Sequence, residues 1–196
     1  MKRLFFLLIF FISVLAHADV TIPQTSFSEE IGYTTIGFVE FDGDRERASE
    51  IMADFGSYEK WLLVGLRKED PEAEKLTCTL NDIKYYPDRN LFRVNFSFNI
   101  FFLKHKEYTM PFLIKETEYD ENGKMKSITL EADKTHKTNK FIAELVYTLT
   151  LEDHVLMYKG QCRLKGLAKA FFTLRLYKKN IEWYICRFAS NFINEF

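Results

Sequence analysis

From Tyr33 onward the apolar positions follow two different periods, and the change between them divides the chain into elements. Tyr33 to Phe41 is rich in β-branched and aromatic residues and ends at Asp42-Gly43, which reads as a strand followed by a turn. Asp44 then offers a helix cap. Ala48, Ile51, Met52 and Phe55 follow at helical spacing up to Gly56, and a second short helical turn over Ser57 to Leu66 carries Trp61 and Leu62.

Beyond that the period falls to two. Leu76 to Tyr86 suits a strand without a clear polarity of face. Phe92, Val94, Phe96, Phe98, Ile100 and Phe102 then alternate with Arg93, Asn95, Ser97 and Asn99, which is the mark of a sheet covered on one side and wet on the other. Tyr108 to Glu116 repeats the alternation through Tyr108, Met110, Phe112 and Ile114, with Pro111 predicting an edge or a bulge. Asp120 to Gly123 is a hairpin turn. Three further strands follow: Ser127 to Asp133, Phe141 to Leu151 with Ala143, Leu145, Tyr147 and Leu149 inward, and Leu156 to Leu164 with Tyr158, Gly160 and Cys162 inward.

The last thirty residues return to helical spacing. Ala170, Leu174, Tyr177, Ile181, Tyr184, Phe188 and Phe192 form one apolar stripe, with Lys178, Lys179, Glu182 and Arg187 off it. A single helix from about Leu167 to Asn194 is expected, roughly 40 Å long at ~1.5 Å per residue. That matches a strand of eleven or twelve residues at ~3.3 Å each. One long helix is therefore expected to lie along one antiparallel sheet of seven strands and cover its apolar face, an α+β architecture with two short helices after the first strand.

The first eighteen residues stand apart. Lys2 and Arg3 precede an apolar run from Leu4 to Leu15, and Ala16-His17-Ala18 ends it, the order of a cleaved secretory signal. The run is short of the roughly 20 residues that span a bilayer. The expected organisation is a signal over 1–18 cut between Ala18 and Asp19, an arm over 19–32 without a consistent period, and a domain over 33–196. The expected location is periplasmic or secreted.

Composition sharpens two points. The chain of 196 residues holds 20 Phe, and only Phe5, Phe6, Phe10 and Phe11 leave with the signal, so the ring excess belongs to the folded domain. Acids and bases are balanced, at 28 against 27, without a basic stripe, which argues against nucleic acid as a partner. Cys78, Cys162 and Cys186 are expected as isolated thiols, since a disulfide scaffold belongs to smaller chains with more cysteines. No metal-ligand spacing, nucleophile elbow or phosphate loop occurs, and His105, His136 and His154 fall in or beside turns. No catalytic residue, metal or cofactor is expected.

The element order of a strand, two short helices, six strands and one long C-terminal helix resembles the START-like helix-grip superfamily of lipid-transfer domains, polyketide cyclases and pollen allergens. The stretch Ala48 to Leu62, with Asp54-Phe55 and then Trp61, is similar to the family's early segment. The resemblance implies a curved sheet gripping the helix, with a cavity between them. The candidate lining is Trp61, Phe92, Phe96, Phe98, Phe112, Tyr147, Tyr158, Tyr184 and Phe188. These rings suit two outcomes, a filled core or a hollow for an apolar guest. The expected function is to bind or carry a lipid or other hydrophobic small molecule, as a monomer with transient contact to a membrane or carrier protein. A cyclase- or hydrolase-like enzyme using the same cavity, and a ligand-free protein-interaction domain, are the alternatives.

Overall fold

The computed structural model describes residues 23–64, 76–98, 106–136 and 141–196. The signal segment and its cut, Ile100, Phe102 and His105, and the side chain of Phe98 lie outside the described residues. Eight strands form one antiparallel sheet: β1 (Gln24–Ser28), β2 (Gly32–Glu40), β3 (Cys78–Tyr86), β4 (Leu91–Phe98), β5 (Lys106–Tyr119), β6 (Met125–Ala132), β7 (Ile142–Glu152) and β8 (Val155–Leu164). Their order is β1-β2-β8-β7-β6-β5-β4-β3. The connection from β2 crosses to the far edge of the sheet and carries α1 (Arg45–Ala53) and α2 (Tyr58–Trp61). The C-terminal segment supplies α3 (Gly166–Phe171) and α4 (Leu174–Asn194).

The sheet has one strand more than the period-two pattern predicts. β1 lies in the segment read as an arm and pairs with β2 from Gln24↔Ile36 to Ser28↔Gly32. Its side chains are mostly exposed, so no buried face imposed an alternation on the sequence. The turn between the two strands is closed by Gly32, whose φ of 87° is in the left-handed region that glycine adopts without strain.

Asp44 caps α1 as expected, its carboxylate accepting from the Glu46 N–H at 2.9 Å. The C-terminal helix departs from the expected single rod. Phe172 is extended (φ −82°, ψ 100°), and the Thr173 side chain accepts from the Leu176 N–H at 3.3 Å, starting a new helix. The break resets the helical phase. Ala170 and Leu174, placed on the apolar stripe by spacing, are exposed, and Ala168 and Phe172 turn inward instead. From Tyr177 to Phe192 the stripe packs toward the sheet as the period predicts.

Pro111 also needs correction. β5 lies between β4 and β6, not at an edge, and Pro111 is in register with Arg93. It is tolerated because it sits one residue beyond the last β5–β6 pair, Phe112↔Ala132: its carbonyl still accepts from the Asp133 N–H at 2.8 Å, and the Asp133 carbonyl that its missing N–H leaves open accepts from the His136 N–H at 3.2 Å. The register shifts of this strand against β6 lie further on, between Ile114 and Glu116 and between Glu118 and Tyr119.

Candidate functional site

α4 touches the sheet at its two flanks. At the β2 flank Gly37 makes room for the helix: a Cβ there would stand 3.2 Å from Ile185 Cγ2. Beside it Tyr33 stacks on Tyr177 with ring centroids 4.1 Å apart, and the Tyr33 hydroxyl donates to the Phe172 carbonyl at the helix break. At the other flank the outer edge of β3 is bonded to helix side chains. The Asn180 carbonyl oxygen accepts from the Thr77 and Cys78 N–H groups at 3.0 and 3.1 Å, and its amide donates to Leu176 O at 2.7 Å. The Tyr184 hydroxyl accepts from the Leu80 N–H at 2.9 Å and donates to the Cys78 carbonyl at 2.8 Å. One turn and more further on, Asn191 donates to the carbonyls of Leu62 and Val64.

A curved sheet held to a straight helix at both flanks leaves a gap over its middle strands. The gap is a cavity of about 290 Å³. Seven of the nine residues expected to line it do so: Phe92, Phe96, Phe112, Tyr147, Tyr158, Tyr184 and Phe188. The backbone of Phe98 ends β4, and its side chain is outside the described residues. Trp61 stands behind the wall. It packs on Phe188 and Phe192 at centroid distances of 5.9 and 6.2 Å and donates its indole N–H to Ser57 Oγ at 3.1 Å.

Periodicity misses several wall residues for a definite reason. A bulge between Leu80 and Asp82 flips the parity of β3, so Cys78 and Leu80 face inward before it and Ile83 after it. That flip also explains why this strand shows no polarity of face in the sequence. In β7 a bulge between Ile142 and Glu144 turns Ile142 into the cavity, where the alternation would have put Ala143. Tyr177 and Asn180 lie on the helix stripe or beside it, and their steps to Ile181 and Tyr184 were the signal that could have found them.

The described wall contains no Asp, Glu, Lys, Arg or His. Its polar atoms are phenols, two thiols and one amide. Burial pushes the Tyr147, Tyr158 and Tyr177 phenols far above their ordinary value, and it pushes the Cys78 and Cys162 thiols up to about 12. All of them are neutral at physiological pH, so none supplies a thiolate nucleophile or a general base. Tyr147 and Tyr158 stand side by side on adjacent strands with ring centroids 5.6 Å apart, and Tyr177 lies close to the Cys162 thiol. Among the described residues no group of three His, Cys, Asp or Glu is placed to hold a metal ion.

No family model matches the sequence, and no curated protein matches it. Solved structures do. A protein from Arthrobacter aurescens, determined by NMR, matches with a TM-score of 0.54 at 10% identity, over 89% of this chain and 93% of its own. A protein from Mycobacterium smegmatis matches with a TM-score of 0.52 at 14% identity, over 90% of this chain and 96% of its own. A START superfamily protein from the same organism matches with a TM-score of 0.50 at 13% identity, over 83% and 96%. At such identities the likeness concerns architecture, and with the curved sheet, the two flanking contacts and the cavity between them it establishes that this chain has the START-like helix-grip fold.

Proposed function

We propose that this is an exported protein that binds or carries a lipid or other hydrophobic small molecule in the cavity between sheet and helix. The observation that carries the reading is the wall itself, about 290 Å³ of space lined by aromatic and aliphatic side chains without a charged group among the described residues. That volume is close to the lower end of ligand cavities, ~300 to 1,000 Å³. At ~30 Å³ per water-sized atom it accommodates about ten non-hydrogen atoms. Burying about ten methylene groups at ~0.8 kcal/mol each supplies ~8 kcal/mol before ordering costs, the scale of micromolar affinity.

Export rests on the signal-like order of residues 1–18. Carriage suits that setting, because an apolar molecule crossing an aqueous compartment needs a sheltered site. A catalytic reading is not advanced, since no titratable group on the described wall is charged near neutral pH.

One experiment tests both parts. The protein is isolated from the cells that produce it, its N-terminus is sequenced, and an organic extract is analysed by mass spectrometry. A chain starting at Asp19 with about one apolar molecule per protein is expected. A clean extract overturns the carrier reading, and a soluble chain still bearing Leu4 to Leu15 overturns export.

A further inference from the structure

Most of the hydrogen-bonding capacity around the cavity is already taken. Tyr58 donates to the Met52 carbonyl, Asn180 makes three bonds, and Tyr184 both accepts and donates. Tyr147 and Tyr158 differ. They stand on adjacent strands with ring centroids 5.6 Å apart, and both face the cavity. Between them the two hydroxyls hold two protons, and a mutual contact can use only one of them. The remaining proton has no acceptor recorded among the described residues.

Gly160 fixes the pair in place. It is in register with Tyr147, and a Cβ there would stand 2.6 Å from the Tyr158 hydroxyl and 3.1 Å from Tyr147 Cε1. The two phenols therefore occupy the space that a side chain would otherwise fill. A buried O–H without an acceptor is unfavourable, and a guest that supplies an acceptor removes that cost.

We infer that the molecule held in the cavity is a neutral hydrocarbon bearing a carbonyl or hydroxyl oxygen, and that this oxygen accepts a hydrogen bond from the Tyr147–Tyr158 pair. The inference rests on the binding function proposed above and narrows its ligand class. A carboxylate is disfavoured, because no cation faces the described wall to balance a buried charge. A plain hydrocarbon fits the apolar surface and leaves the phenol proton unpaired.

Decan-2-one, decane and decanoate separate these cases by titration calorimetry on the purified protein at pH 7.5. Decan-2-one is expected to bind about tenfold more tightly than decane, the scale of one added hydrogen bond, with decanoate the weakest. The double variant Tyr147→Phe/Tyr158→Phe keeps both rings and is expected to lose the preference for the ketone, the ratio of ketone to decane affinity falling to about one. Equal affinity for ketone and decane in the unaltered protein, or tightest binding of decanoate, overturns the inference and leaves the binding function standing. Absence of binding by all three overturns both. If the double variant does not fold, the three-ligand comparison on the unaltered protein still decides.

Discussion

Gly160 shows how one missing side chain shapes a wall. It lies on the inward row of β8 between Tyr158 and Cys162, and the Tyr158 ring leans along the strand into the space above it. Gly160→Ala puts a methyl against two buried rings at once. It is expected to cost about 1–3 kcal/mol of stability in urea unfolding, the usual range for overpacking. Because the rings can relieve the clash only by moving into the cavity, the variant should also bind decan-2-one more weakly. Unchanged stability together with unchanged binding would show that the rings are not held there. Little of this was legible in the sequence, where alternation marks Gly160 as inward and small but not as the place where two tyrosine rings crowd together. Phe92, Phe96 and Phe112 were legible, because each lies on a regular stretch of strand and the whole alternation agrees on its direction. Trp61 was drawn to the wall by a family likeness, whereas its indole belongs to a layer behind.

At the scale of elements, regular segments followed the sequence period and departures came where hydrogen bonding interrupts it. β4 and β8 keep one parity throughout, so their inward rows were readable. β3, β5, β6 and β7 carry bulges, and a single extra residue sends the following side chains to the opposite face. The C-terminal helix reads as continuous because Phe172 and Thr173 do not by composition break a helix, yet Thr173 caps a second one. Edge contacts were equally hidden, because nothing in a pattern of apolar positions announces that Asn180 will serve backbone donors more than a hundred residues away in the chain. Asn180→Ala removes the acceptor of both the Thr77 and Cys78 N–H groups. A loss of about 1–3 kcal/mol is expected for leaving such donors unpaired, only slightly offset by the better helix propensity of alanine. Hydrogen exchange read at Thr77 and Cys78 should quicken selectively. Exchange as slow as in the parent would show that the clamp contributes nothing.

The whole molecule is a sheet closed on a helix at both flanks, and the described wall of its cavity is neutral. Cys78 and Cys162 have thiols raised from an ordinary value of 9.0 to about 12 by burial. The folded state favours their protonated form, so the stability associated with them is fully present below pH ~9 and is lost as pH rises toward 12. The buried phenols, raised in the same direction, add to that trend. The melting temperature should therefore hold near neutral pH and fall steeply above pH ~9. At pH 8 a thiol reagent should reach the half-buried Cys186 well before the buried Cys162, which reacts only on unfolding, and Cys78, half-buried on the cavity wall with its thiol held neutral, should react at an intermediate rate. Labelling of all three at one rate in the folded protein would contradict this picture of the interior. The helix anchorage of β3 also governs how the protein behaves among copies of itself. A terminal strand ordinarily presents its outward N–H and C=O groups as a template for another chain. Here the groups at Cys78 and Leu80 are already held by Asn180 and Tyr184. Growth of a sheet from that end would first have to pull the strand off its own helix, so the contact that closes the binding cavity also guards the molecule against edge-to-edge aggregation.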